Sequence, residues 1–188
     1  MSARSPRADA QRNIDALLTA ARTVFARDGV DAHVKVIADE AGVGVATLYR
    51  HFPKRSDLVL AVLSHEVTEC IAAAPVLAEA HPPLLAMTKW VHRYTEFVAT
   101  KRGLAAALHS GDPTFEGLGT RLLQRLEPAL AGLLDTAKES GEIRPDVSAD
   151  DLLRAVAHLC VPGPGEDMTF SRRMVDLLLD GLDHRTRP

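Results

Sequence analysis

Apolar residues recur at helical spacing from residue 14 onward, and glycines and prolines cut the stripes where helices would end. Ile14, Leu17, Leu18, Ala21, Val24 and Phe25 form the first stripe, which Gly29 closes. Val34, Ile37, Ala38 and Ala41 form the next, over Val34 to Ala41, with Lys35, Asp39 and Glu40 turned to water. Gly42-Val43-Gly44 interrupts it: Gly42 accepts the left-handed backbone of a helix end, and Val43 plugs the corner. A second short helix, about Val45 to His51, buries Leu48 with Phe52 behind it. Its remaining surface carries Thr47, Tyr49, Arg50 and His51, which supply hydroxyls, a ring and cations. Two short helices across a glycine turn are the pattern of a helix-turn-helix.

Beyond this corner the helical pattern continues. Asp57 stands where an N3 carboxylate supports a helix from about Lys54 to Ala74, which Pro75 is expected to end. Past Pro82-Pro83 another helix runs to about Thr100, and a short one lies around Leu104 to His109. Gly111 to Gly117 reads as a loop. From Leu118 to Ser140 leucines recur at helical spacing, and Pro128 inside the pattern is expected to kink or break the helix. Ser148 or Asp146 caps a helix over Ala149 to Val161, and Pro162 to Gly165 separates it from a last one, about Asp167 to Asp183. Nothing alternates with the period of a strand, so the fold class is all-α. Residues 1–8, with Arg4 and Arg7 beside Pro6, read as a disordered arm.

Composition narrows the class. With 188 residues, 46% hydrophobic and 25% charged, the chain can bury a real core as one large domain or two small ones. No run approaches the length of a membrane span, and the first residues lack the apolar centre of a signal peptide, so a cytoplasmic location is expected. Cys70 and Cys160 are far apart and lack CxxC spacing, which suits buried thiols. The net charge of -3 argues against a protein that coats nucleic acid. It is unevenly placed: residues 1–60 hold nine Lys/Arg against seven Asp/Glu, the remainder 13 against 18, so the basic end is the one with the helix-turn-helix.

Ile37 to Leu58 reads IADEAGVGVATLYRHFPKRSDL, and here the chain resembles the TetR family of transcriptional regulators, whose signature has the form IAxxAGVxxxTLYxHFxxKxxL. Ile37, Ala38, Ala41, Gly42, Val43, Thr47, Leu48, Tyr49, His51, Phe52 and Leu58 match in order, and Arg55 stands where Lys or Arg is expected. The resemblance implies a three-helix DNA-binding domain over residues 9–53 and a helical ligand-binding and dimerisation domain over 54–188. The helix from Lys54 would be the connector, in a total of nine to ten helices. It also implies a homodimeric repressor on a palindromic double-stranded operator, released by a small-molecule inducer of unknown identity.

By the same resemblance Val45, Ala46 and Thr47 face bases, while Tyr49 and His51 reach phosphates. Lys54 and Arg55 open a helix where free backbone N–H groups and cations converge on one anion. Lys35, Arg4, Arg7 and Arg12 are candidates for flanking contacts. Val45 and Ala46 can touch a thymine methyl but cannot hydrogen-bond a guanine, so direct readout is thin and Arg50 is expected to share it. His33 and Gly44 occupy helix starts where Ser or Thr commonly caps, which leaves those starts less tightly fixed.

In the downstream part Met87, Trp90, Tyr94 and Phe97 share one helical stripe. Core packing accounts for any one of them, whereas the resemblance puts a small-molecule cavity among the middle helices, with the Trp90 N–H, Tyr94 hydroxyl, His92, His109 and Thr88 as polar handles. The last two helices offer a dimer interface: Leu152, Val156, Leu159 and Cys160 on one, Phe170, Met174, Leu177, Leu178 and Leu182 on the other. Some of these must also face the protomer's own core. The resemblance makes the pair half of a four-helix bundle with a symmetry mate.

Enzyme chemistry has little support. His65-Glu66-Val67-Thr68-Glu69 is one residue short of the zincin motif HExxH, and His92 with Glu96 repeats the spacing, but such pairs are commonly solvated helix faces. No GxSxG elbow, phosphate loop or redox CxxC is present, so no catalytic residue, metal ligand or cofactor is assigned. The alternatives to an inducible repressor are a constitutive DNA-binding protein without inducer and, further off, a metal-dependent enzyme.

Overall fold

The computed structural model describes residues 6–161 and 168–182. Their order is α1 (Pro6–Asp28), α2 (Val34–Glu40), α3 (Val45–His51), α4 (Arg55–Ala80), α5 (Pro83–Gly103), α6 (Ala105–Leu108), a 3-10 turn (Pro113–Phe115), α7 (Leu118–Glu139), α8 (Ala149–Leu159) and α9 (Met168–Asp180). No strand occurs among the described residues. Eight of these helices have seven residues or more and α6 is a single turn, so the count among the described residues falls just short of the nine to ten expected. Arg4 of the expected arm and the Pro162 to Gly165 separator lie outside the described residues, whereas Pro6 to Ala8 already belong to α1.

The chain divides into two compact units, Met1–His65 with Thr100–Glu116, and Glu66–Ala99 with Gly117–Pro188. The division therefore falls inside α4, beyond the expected boundary after residue 53, and Thr100–Glu116 joins the unit that carries the helix-turn-helix. In the first unit α1 packs on α2 and α2 on α3. Leu17, Ala21, Val24, Phe25, Ile37 and Ala38 are wholly buried there, as the spacing of the first two stripes requires. Leu104 and Phe115 are the buried anchors of the returning segment.

In the second unit α7 packs on α8 and α8 on α9. The leucines of α7 point inward at 122, 126, 130, 133 and 134. Ser148 caps α8, its hydroxyl accepting from the Asp151 N–H at 3.1 Å. Neither internal proline stops its helix. Pro75 and Pro128 are exposed and each removes only one backbone donor, while buried residues, Ala74 just before Pro75 in α4 and Leu126 and Leu130 on either side of Pro128 in α7, hold the helix to the core.

Among the described residues α4 alone is long and apolar enough to cross a bilayer. That corrects the expectation that no run reaches this length. Its apolar face is occupied by the protein itself, since Leu58, Val59, Val62, Leu63, Val67 and Cys70 are all buried.

Candidate nucleic-acid interface

The corner between α2 and α3 is closed by backbone geometry. Gly42 adopts φ 67°. Its N–H donates to the Asp39 carbonyl at 3.1 Å, and the Val43 N–H donates to the Ala38 carbonyl at 3.0 Å. These two bonds form a Schellman end, which satisfies the last carbonyls of α2 and turns the chain in a single step. A residue with a Cβ at position 42 would be strained in this conformation although space is open around it.

The start of α2 is better fixed than its sequence indicates. His33 Nδ1 accepts from the Lys35 N–H at 3.2 Å, so the imidazole supplies the cap that Ser or Thr would. Gly44 gives α3 no side-chain cap. Instead Leu48 is fully buried and Phe52 nearly so, which seats α3 by its apolar side.

This seating decides what α3 presents. Ala46, Tyr49, Arg50 and His51 are exposed, Val45 and Thr47 are half-buried, and Tyr49 keeps half its surface in water. An aromatic hydroxyl, a guanidinium and an imidazole therefore stand on one short helix with exposed side chains. Lys54 is exposed just beyond, its backbone N–H donating to Asp57 Oδ2 at 2.9 Å, the N-terminal support expected for α4. Lys35 is exposed too and pairs with Asp39 at 2.9 Å, a solvated i,i+4 contact that an anion can displace at little cost.

Arg55 departs from the expected pattern. Its side chain is half-buried, and its terminal nitrogens donate to the backbone carbonyls of Val30 and Ala32, the latter at 2.7 Å. The guanidinium is turned into the protein rather than toward a ligand. It borders a cleft of about 420 Å³ shared with Asp31, Ser56, Asp112 and Phe115.

The expected ligand stripe is closed. Met87 and Trp90 are wholly buried, Tyr94 and Phe97 nearly so. Trp90 and Tyr94 stack with centroids 6.0 Å apart, and Tyr94 meets Phe97 at 6.1 Å. The two polar handles that lie on the stripe itself already have partners, Trp90 Nε1 donating to the Cys70 carbonyl at 2.7 Å and the Tyr94 hydroxyl to the Leu153 carbonyl at 3.2 Å. The clefts beside Arg55, between Val76 and Lys89, and between His92 and Asp176 are not lined by these four side chains. His109 is exposed, its Nδ1 2.8 Å from the Ala105 carbonyl.

The expected interface residues divide into two sets. Leu152 and Val156 are buried in the protomer's own core, as are Cys160 and Leu182, and cannot meet a partner without unpacking. On α9 the inner face is Ser171, Val175 and Leu179. Phe170, Met174 and Leu178, with Leu177 60% exposed, form an outer apolar stripe, and Leu159 on α8 is half-buried. No group of three metal-binding side chains occurs among the described residues, and Glu69 of the near-zincin pair faces Arg93 at 3.5 Å.

Comparison with known proteins agrees with this geometry. Residues 17–62 match the model of the bacterial regulatory proteins of the tetR family, and residues 82–184 match the C-terminal domain of SbtR-like transcriptional regulators. A TetR transcriptional regulator from Streptomyces coelicolor is 36% identical with a TM-score of 0.79, covering 90% of this chain and 98% of its own. A TetR regulatory protein from Mycobacterium vanbaalenii is 30% identical with a TM-score of 0.73, covering 95% and 99%. A gamma-butyrolactone receptor shares the fold at 19% identity and a TM-score of 0.62, covering 95% and 92%. No curated protein matches the chain.

Proposed function

Given that this chain belongs to the TetR family of transcriptional regulators, which are DNA-binding proteins and not enzymes, we propose that it is a homodimeric repressor released from its operator by a small molecule. The observation that carries the DNA-binding part is the exposed face of α3, where Ala46, Tyr49, Arg50 and His51 stand clear beyond a fixed corner. Val45, Ala46 and Thr47 would meet base edges and Arg50 a neighbouring base or phosphate. Tyr49, His51, Lys54 and Lys35 would hold the phosphates that set the register.

Pairing through the outer stripe of α9 supplies the second copy. Two reading helices roughly 34 to 36 Å apart match successive major grooves on a palindrome. Such a dimer works where the chromosome is, which places it in the cytoplasm. An inducer that binds the second unit would lower operator affinity, and linkage then requires the operator to weaken inducer binding by the same factor. The closed stripe from Met87 to Phe97 favours a second reading, a constitutive DNA-binding protein whose core is already filled.

Selection of bound duplexes from a random pool tests the first claim. Enrichment of one palindromic sequence is expected, and a pool that stays random after repeated rounds would refute it.

A further inference from the structure

Arg55 opens α4, yet its two terminal nitrogens reach carbonyls 25 and 23 residues earlier in the chain, those of Val30 and Ala32. Both carbonyls lie in the connection between α1 and α2, outside any helix. A guanidinium holds its donors in a rigid planar fork, so one side chain can close both at once; a single ammonium nitrogen cannot occupy both positions. The next residue after Ala32 is His33, whose ring caps α2. The α2 helix in turn carries the Gly42 corner that aims α3. On the other side of the fork, the first turn of α4 is itself held by Asp57 on the Lys54 N–H. The guanidinium therefore joins two separately braced helix starts, and reaching a phosphate would require breaking two charge-assisted hydrogen bonds from a half-buried position.

We propose that Arg55 is a positioning residue of the DNA-reading unit. It fastens the connection before α2 to the start of α4 and so holds the reading corner in place, without neutralising a phosphate. The inference rests on the DNA-binding reading above and assigns Arg55 a different part in it from that of Lys54, which is exposed at the same helix start.

Charge-preserving and charge-removing variants separate the two roles. Arg55→Lys and Arg55→Met should both weaken binding to the selected duplex by about tenfold, what one charged hydrogen bond is worth, with the salt slope of wild type. In the DNA-free proteins, the backbone amides from Ala32 to Val36 should exchange faster with solvent in both variants, and more so than the rest of the first unit. Wild-type affinity in Arg55→Lys, together with a slope reduced by about one in Arg55→Met, would make Arg55 a phosphate contact and overturn the proposal.

A measurement on the wild type covers the case in which a variant does not fold. With arginine nitrogens isotopically labelled, Arg55 should show separate, slowly rotating Nη signals in the free protein that do not move when duplex is added. One averaged signal, or a shift on adding duplex, would overturn the proposal. Should the wild type bind no duplex at all, the DNA-binding reading fails by itself, and the signals of the free protein still decide whether Arg55 is held by its carbonyls.

Discussion

The indole N–H of Trp90 donates to the backbone carbonyl of Cys70 at 2.7 Å, joining α5 to α4 at a point wholly out of water. The carbonyl belongs to the residue five before Pro75, and the bond uses the one polar atom of the side chain. Trp90 is thus a structural member of the second unit in this conformation. A small molecule that touches the indole nitrogen has to displace this bond.

Trp90→Phe removes the donor and leaves the Cys70 carbonyl with one partner fewer in a dry site. The loss should be about 1 to 3 kcal/mol of stability, read from urea unfolding. A variant as stable as wild type would show that the bond contributes nothing net.

On α3, exposure separates two kinds of residue. Tyr49→Phe and His51→Ala remove polar atoms that reach solvent, so they should weaken binding to specific and random duplexes alike. Lys54→Gln should lower the salt slope by about one unit. Thr47→Val should instead change which base is preferred. These are measurable by titration of the selected duplex at several salt concentrations, and wild-type affinity in both Tyr49→Phe and His51→Ala with unchanged base preference in Thr47→Val would remove α3 from the interface.

The divided interface set gives a paired test of assembly. Leu177 is 60% exposed in the protomer, so Leu177→Asp should yield a folded monomer, with a charge unfavourable only where a second copy would cover it. Val156 is fully buried, and Val156→Asp should cost several kcal/mol and unfold the protein. Sedimentation beside circular dichroism distinguishes the two, and a Leu177→Asp dimer with unchanged affinity would place the interface elsewhere.

Alkaline pH should loosen the second unit. Burial pushes the Cys70 thiol from its usual 9.0 up to about 11, with Arg93 opposing the shift. The folded state keeps a proton that the unfolded chain gives up, so this contribution is whole below pH 9 and is lost as pH rises toward about 11. Tyr94, raised by burial and then by the two cysteines, acts in the same direction at higher pH. Urea unfolding across this range should show the fall, and Cys70→Ala should flatten its first part. A wild-type stability that holds level there would contradict it.

What the sequence disclosed follows from where each signal resides. The reading corner was legible because its determinants are side-chain identities at short range: Gly42 for the turn, Leu48 and Phe52 for the seat, Tyr49 and His51 for the outer face. Arg55 was not, since a cation at a helix start looks the same whether it meets a phosphate or two backbone carbonyls, and carbonyls are common to every residue. His33 as a cap escaped notice for a related reason, because an imidazole acceptor is rarer there than a hydroxyl. In α8 and α9 apolar residues occupy both faces, so spacing alone could not separate Leu152 and Val156, which face inward, from Leu159 and Leu177. Pro75 and Pro128 misled through a real cost that the packing of their helices outweighs.

The most direct test of the proposed regulator is the mass of its complex with the selected duplex, determined by sedimentation for wild type and for a protein carrying Tyr49→Ala with His51→Ala. Two chains on one duplex are expected, with half-sites one helical turn apart, and no complex from the doubly substituted protein at the same concentration. A single chain per duplex, or a complex that survives loss of both side chains, would contradict a two-fold dimer that reads DNA through α3.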